Sequence, residues 1–123
     1  MARRLARVNS QLQREITRIL RSQVRDPRVG TPVVTEVRVT SDLSFARVFV
    51  RLAGSDRERD QAMKGLAASA AFIRGSLGAE LHIRRVPELR FVEDTSLEHA
   101  ARIEQILKEV LPRDGDAGKG EET

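Results

Sequence analysis

Residues 56–81 carry an apolar pattern at helical spacing that three small residues interrupt, and strand patterns precede and follow this stretch. Ser55 and Glu58 form a capping-box signature, in which each side chain satisfies a free backbone amide near a helix start, so a helix is predicted to begin there. The interruption is the Ser-Ala-Ala sequence of residues 69–71. This pattern predicts two helices separated by a break at which a second chain can approach the backbone closely.

The stretch before this region predicts a helix and a hairpin. Residues 3–24 have apolar side chains at every third or fourth position, which is typical of an amphipathic helix. Asp26-Pro27 ends the helix, because proline disfavours a helical residue before it. Residues 33–40 and 45–52 alternate in polarity and predict two strands of a hairpin. In the first strand, one face is predicted to hold Val33, Thr35, Val37 and Val39, and the other Val34, Glu36, Arg38 and Thr40.

The stretch after it predicts a strand, a helix and a tail. Residues 83–92 read as a third strand in which Pro87 indicates a bulge or an edge position. Thr95 and Glu98 form a second capping-box signature, and a last helix is predicted over residues 96–110. The side chains predicted to face inward are Leu97, Ala100, Ile103, Leu107 and Val110. Residues 1–111 are expected to form a single domain, and residues 112–123 a disordered charged tail.

The order helix, strand, strand, helix, helix, strand, helix predicts an α+β domain in which helices cover one face of a three-stranded sheet. That order is the type II K-homology arrangement, an RNA-binding fold that contacts nucleic acid at a Gly-x-x-Gly loop between two helices. Residues 75–78 match Gly-x-x-Gly literally, but too few residues follow for a second helix before the strand. Gly78 is therefore predicted to end a helix in a left-handed conformation.

Composition excludes several functional classes. The 123 residues contain no Cys, Trp or Tyr, so thiolate metal sites, disulfides and stacking on those rings are absent. No apolar run is long enough to span a membrane. His82 and His99 lack acidic partners at ligand spacing and are interpreted as structural or surface residues. No catalytic triad or phosphate-cradling loop is recognisable, so the chain is expected to be no enzyme and to need no cofactor or metal.

Charge is distributed unevenly along the chain. Residues 1–90 carry 18 Lys or Arg against 9 Asp or Glu, whereas residues 91–123 carry 4 against 9. A basic body indicates an anionic partner. Nineteen of the 22 cationic residues are Arg, which suits bidentate phosphate contacts, although a GC-rich genome produces the same bias.

Twelve residues are candidates for RNA contact, because they lie at the predicted break or in Arg clusters. They are Arg3, Arg4, Arg7, Arg14, Arg28, Ser69, Ala70, Ala71, Arg74, Arg84, Arg85 and Arg90. Arg84, Arg85 and Arg90 either extend the RNA surface or protect an edge strand from aggregation. Arg47 and Arg51 share a strand face with Phe49, and the preferred interpretation is that their stems cover this ring, with RNA or protein contact as the alternative.

The chain resembles the bacterial ribosome-binding factor A family over about residues 4–110. The stretches that carry the resemblance, in order, are Arg7-Val8, Glu15-Ile16, Ile19-Leu20, Asp26-Pro27-Arg28, Val37-Arg38-Val39-Thr40-Ser41-Asp42-Leu43, Ala46-Arg47-Val48-Phe49-Val50, Phe72-Ile73-Arg74, Leu81-His82-Ile83-Arg84-Arg85, Val86-Pro87-Glu88-Leu89-Arg90-Phe91 and Asp94-Thr95-Ser96. Family members replace Gly-x-x-Gly with a kinked Ala-x-Gly. Here Ser69 stands for the Ala and Ala71 for the Gly, so the kink is expected to be shallower.

The resemblance implies a non-catalytic factor that binds the free small ribosomal subunit and its 16S rRNA and assists late subunit maturation, with a link to growth in the cold. It also implies a monomer that acts in the cytoplasm away from membranes, with a plastid origin left open. The alternative from another class is a protein–protein adaptor that uses the sheet face and the acidic last helix. A DNA-binding role has weaker support, because no helix-turn-helix spacing is present.

Overall fold

The computed structural model describes residues 2–82 and 85–110. The helices and strands, in chain order, are α1 (Ala2–Ser22), β1 (Val33–Val39), β2 (Phe45–Arg51), α2 (Asp56–Leu81), β3 (Glu88–Glu93) and α3 (Ser96–Val110). The predicted α+β class is confirmed, with one helix where two were expected. The tail predicted over residues 112–123 lies outside the described part of the chain.

The three strands form one sheet in the order β1-β2-β3. β1 and β2 pair antiparallel as the predicted hairpin, and β3 pairs parallel to β2. The register shifts between Val34 and Glu36, so β1 bulges there. The bulge contradicts the alternation predicted for β1, because Val34 is 6% exposed and Val33 is 50% exposed.

Helices α1 and α2 cover one face of the sheet, as predicted, and the core lies between them and the strands. Ile16, Leu66 and Val48 show the three layers, and each is fully buried. Polar contacts fix α1 on the edge strand: the Gln13 side-chain amide donates to the Val34 carbonyl at 3.1 Å, and the Val39 N–H donates to Asn9 Oδ1 at 2.9 Å. No helix in the described ranges is long and apolar enough to cross a bilayer.

The structure corrects two predictions about α2 and one about the start of β3. Its capping box at Ser55 and Glu58 is confirmed, but the helix continues through residues 69–71, so the predicted break is wrong. Small residues are compatible with helical geometry and do not by themselves end a helix. Gly78 lies inside the helix, and the left-handed residue at its end is His82, with φ 53°. β3 begins only at Glu88, because Pro87 lacks the N–H that a strand ladder needs.

α3 has the predicted bounds but not the predicted burial. All of its residues are exposed, including Leu97, Ile103 and Val110, so the prediction of an inward apolar face is wrong. The predicted Thr95–Glu98 capping box is also absent from the described contacts: the Thr95 hydroxyl lies 3.3 Å from His99 Nδ1, and the Ser96 N–H donates to Asp94 Oδ1. The helix leaves the end of an edge strand, where no described element lies opposite its apolar face.

Candidate nucleic-acid interface

A groove of about 980 Å³ runs between α2 and the edge strand β3. It brings together five of the predicted contact residues, which come from the middle of α2 and from the chain around β3. Its lining consists of Met63, Ala67, Ala70, Ala71, Arg74, Gly75, Gly78, Arg85, Val86, Glu88, Leu89, Arg90 and Phe91. Ser69, predicted with them, is half-buried and does not line the groove.

Small residues make the helical wall of this groove. Ala67, Ala70, Ala71, Gly75 and Gly78 recur three or four positions apart, which places them along one face of α2. Because their side chains are short, a ligand chain can approach the helix backbone without any break in the helix. The sequence prediction located the close approach at residues 69–71, whereas the small residues that line the groove extend from Ala67 to Gly78. The sequence signal that could have identified this face of α2 is the recurrence of small residues at helical spacing.

The opposite wall and the floor include apolar side chains beside Arg85, Glu88 and Arg90. Leu89 and Phe91 come from β3, and Met63 from the first half of α2. These residues were absent from the sequence prediction, because they read simply as core positions. An apolar floor with cationic side chains near it suits a chain that carries both flat bases and phosphates.

Arg74 shapes one end of the groove. Its Nε and Nη2 both donate to the Val86 carbonyl, at 3.0 and 2.9 Å. The bonds tie α2 to the segment that leads into β3 and hold the guanidinium in one orientation. A guanidinium has five N–H donors, so three remain for another acceptor. Arg74 is therefore a structural residue whose remaining donors can bind a phosphate.

Arg85 connects the groove to α1. It lines both the groove and a smaller cavity of about 120 Å³ that Val8 and Gln11 of α1 border. The groove surface therefore continues past Arg85 onto the first half of α1. Arg84, predicted beside it, lies outside the described residues.

The arginines on α1 differ in how they are paired. Arg3, Arg4, Arg7 and Arg14 are exposed, and no carboxylate within the described ranges lies within 4 Å of their side-chain nitrogens. Elsewhere on α1, Arg18 contacts Glu15 and Glu80. The four arginines therefore form a cationic surface whose charge is not neutralised by any carboxylate in the part of the chain that the structure describes.

Arg28 is neutralised locally. Its Nη2 lies 2.6 Å from Asp26 Oδ2, and its backbone N–H donates to the same carboxylate. The side-chain hydrogen bond from Arg28 is the largest cause that lowers the pKa of Asp26 to about 2. Arg28 is thus engaged at the turn after α1, which makes it a weaker phosphate ligand than the unpaired α1 arginines.

Arg90 lies within β3 and borders the groove, but its charge lies on the other side of the sheet. Its guanidinium carbon is 4.5 Å from the centroid of the Phe45 ring, on the face that the helices leave open. The sequence analysis left open whether Arg90 extends the RNA surface or protects an edge strand. Strand alternation separates it from Leu89 and Phe91, which point toward the helices.

Comparisons with known proteins agree with this fold. A family model described as ribosome-binding factor A matches residues 4–107. The ribosome-binding factor A of Desulforamulus reducens is 40% identical over 110 residues, which span 89% of this chain and 92% of the relative.

Two structures of Thermus thermophilus ribosome-binding factor A are similar to the chain. The crystal structure has a TM-score of 0.64 and 27% identity, over 72% of this chain and 93% of that one. A homology model fitted into a cryo-EM map of a complex with the 30S subunit has a TM-score of 0.58 and 26% identity, over 71% of this chain and 91% of that one.

Proposed function

The chain belongs to the ribosome-binding factor A family, and from this membership we propose that it binds the free 30S subunit and its 16S rRNA and assists late maturation of that subunit. A structurally similar protein has been fitted into a map of a 30S complex, which supports the partner. The observation that carries the proposal is the α2–β3 groove, whose surface continues through Arg85 to Val8 and Gln11 of α1, the helix that also carries the exposed arginines.

RNA binding would use two kinds of contact. The unpaired arginines of α1 bind phosphates and release counterions, so the affinity falls as salt rises. The small face of α2 and the unpaired edge of β3 admit an RNA strand, with bases against the half-buried Phe91. The Arg74 guanidinium is already held in place by the Val86 carbonyl. It can therefore donate to a phosphate at the end of the groove without a further loss of side-chain entropy.

The protein would act by occupancy and not by catalysis. It holds an RNA conformation or blocks a competing one while the subunit matures, and then dissociates. A single copy suffices for this role. A ribosomal partner supports action in the cytoplasm, or in the plastid stroma if the chain is of plastid origin. This proposal requires no cofactor.

Sedimentation with purified 30S subunits, 50S subunits and 70S ribosomes tests the proposal at low and moderate salt. We expect co-migration with free 30S subunits alone, weakening as salt rises. The variant R3E/R4E/R7E should lose about tenfold or more in 30S affinity, because three phosphate contacts become repulsive. R102E, a single charge reversal on the exposed α3, is the control and should bind normally if RNA contact and not α3 carries the association.

A folded protein that binds no ribosomal particle at low salt would contradict this proposal. Equal binding of R3E/R4E/R7E and wild type would remove α1 from the interface. A second groove variant, Ala71→Glu, adds a carboxylate to the exposed groove wall and should also weaken 30S binding if RNA occupies the groove.

The adaptor function is the second candidate, and exposed apolar side chains on α3 favour it. Leu107 is 49% exposed and Ile103 is 59% exposed, although both have the spacing of a buried helix face. If the adaptor role dominates, Ile103→Asp should abolish association with the subunit while R3E/R4E/R7E has little effect.

A further inference from the structure

The sheet face opposite the helices carries a row of three arginines. The strand register places Arg38 of β1 directly opposite Arg47 of β2, and Arg47 directly opposite Arg90 of β3. Neighbouring strands lie about 4.8 Å apart, so the row crosses the sheet within roughly 10 Å between its outer backbones. All three side chains are exposed.

Carboxylates neutralise only the ends of this row. Arg38 Nε lies 2.5 Å from Glu36, and Arg90 Nε lies 3.7 Å from Glu88. Arg47, in the middle, has no carboxylate within 4 Å among residues 2–82 and 85–110, and Arg51 on the same strand face has none either. Like charges directly opposite each other on a sheet are destabilising. A bound anion would relieve this repulsion.

Two phenylalanines lie in the same face. The Arg90 guanidinium carbon is 4.5 Å from the Phe45 ring centroid, and that of Arg38 is 5.5 Å from the Phe49 ring centroid. Aromatic rings and Arg guanidinium planes are both platforms on which unpaired RNA bases stack. The face therefore alternates cations with stacking surfaces. The sequence pattern alone favoured simple coverage of Phe49 by arginine stems.

We propose that this open sheet face is a second RNA contact that takes a single-stranded segment. The main phosphate contact is Arg47, and Arg38 and Arg90 at the ends of the row are weaker contacts because Glu36 and Glu88 pair with them. Bases stack on the Phe–Arg layers. An acidic polypeptide matches the cations alone and leaves the stacking surfaces unused, so RNA fits the whole face better.

The consequence is a protein with two RNA-binding sides, and this part rests on the proposed function. α1 and the α2–β3 groove lie on the helix side of the sheet, and the arginine row lies on the opposite side. One molecule could then hold two rRNA segments at once. The second contact becomes intramolecular after the first, which raises the overall affinity without a new kind of interaction.

Binding of a fluorescent 12-nucleotide oligouridylate, measured by anisotropy at several salt concentrations, tests the sheet face directly. We expect R47E/R90E to lower the affinity roughly tenfold or more. The variant R47Q/R90Q removes the two charges without reversal, and should reduce the slope of log affinity against log salt by about 1.4, because each single-strand phosphate contact contributes about 0.7. R102E is the control, and thermal melts verify that each variant is folded.

Phe49→Leu separates stacking from charge, because it keeps every arginine. We expect it to weaken oligouridylate binding several-fold, consistent with a loss of base stacking, and to leave binding of polyglutamate unchanged. If polyglutamate binds as tightly as the RNA and Phe49→Leu alters neither, the face binds acidic polypeptide and the RNA proposal is overturned.

The two proposals can fail separately. Oligouridylate affinity that R47E/R90E leaves unchanged overturns the sheet-face proposal, whatever the sedimentation result. Wild-type protein that binds the oligonucleotide through the sheet face but no 30S subunit contradicts the proposed function and leaves the face as an RNA site.

Discussion

α2 and α3 begin with similar local signals and end in different environments. Each begins within a Ser/Thr-x-x-Glu sequence and carries apolar residues at helical spacing. Both helices are continuous, α2 over 26 residues and α3 over 15. α2 buries residues along its length, including Leu66 and Ile73, whereas α3 buries none. The comparison separates the forces that form a helix from those that pack it.

Helix formation depends on local sequence, but burial depends on what lies opposite. α2 crosses from the end of β2 to the start of β3 and lies over the sheet against α1. α3 continues from the end of β3, the edge strand, and the structure places no described element against it. An amphipathic pattern therefore predicts a helix here and indicates a partner surface, but it does not show that the partner is the chain's own sheet.

The largest expected effect is the difference in stability between two variants that each truncate one isoleucine to alanine, one in α2 and one in α3. Ile73→Ala removes a fully buried side chain and should lower the free energy of unfolding by about 2–5 kcal/mol. Ile103→Ala, on exposed α3, should change it by less than about 0.5 kcal/mol. Chemical denaturation of both variants and wild type measures the difference. Comparable destabilisation by the two substitutions would show that α3 packs on the domain in solution.

The second effect compares two glycines within α2. A Cβ at Gly65 would lie 2.9 Å from Val29 Cγ2 and 3.3 Å from Arg28 Cβ, whereas a Cβ at Gly75 meets nothing within 4 Å. Gly65→Ala should destabilise by about 1–2 kcal/mol net, since the steric strain exceeds the gain in helix propensity. Gly75→Ala should stabilise by about 0.5–1 kcal/mol.

Urea unfolding of the wild type and both glycine variants measures the two changes in stability. The matched pair is informative because the chemical change and the helix are the same, and only the contact with residues 28 and 29 differs. Stabilisation by both substitutions would mean that the turn after α1 does not pack closely on α2.

The third effect compares the two helix starts. Ser55→Ala removes the side chain that accepts from the Glu58 N–H at 3.1 Å, and should cost about 1 kcal/mol of global stability. Thr95→Ala should leave global stability nearly unchanged, because Thr95 contacts the His99 ring and α3 is outside the core. Thermal denaturation measures the first change, and amide hydrogen exchange along residues 96–110 tests for local fraying in the second.

The smallest expected effect concerns the carboxylate that joins α3 to the sheet. Asp94 accepts from the Thr35 hydroxyl at 2.5 Å and from the Ser96 N–H at 2.9 Å. The Thr35 hydrogen bond is the largest cause that lowers the pKa of Asp94 from 3.8 to about 2. Because the folded-state pKa is lowered, this stabilisation is present above about pH 4 and is lost as the pH falls through about 2.

Asp94→Asn should therefore be slightly less stable than wild type near neutral pH, with a difference that narrows between about pH 4 and pH 2. The effect should be small, since solvent screens a carboxylate near the surface. Unfolding curves across this pH range measure it, with Asp60→Asn, on exposed α2 surface, as the control. A constant difference down to pH 2 would show that ionisation of Asp94 does not contribute.

Part of the candidate site follows from sequence and part does not. The Arg-rich helix and the close approach near Ala70 and Ala71 were predicted from residue type and position alone. The apolar groove wall at Leu89 and Phe91 was not, because it requires knowing which strand lies beside α2. The arginine row across the sheet also requires the register, since Arg38, Arg47 and Arg90 are far apart in the chain.

The sequence by itself determined the α+β class, the hairpin, the helix start at Ser55 and the basic character of the body, because these depend on local periodicity, capping chemistry and charge. It also identified the family, through the ordered set of stretches that resemble ribosome-binding factor A. Tertiary structure decided the burial of α2, the bulge that buries Val34 and the exposure of α3. Each of these depends on contacts between distant residues: α2 packs against the sheet and α1, pairing with β2 shifts β1, and α3 has no described surface opposite its apolar side.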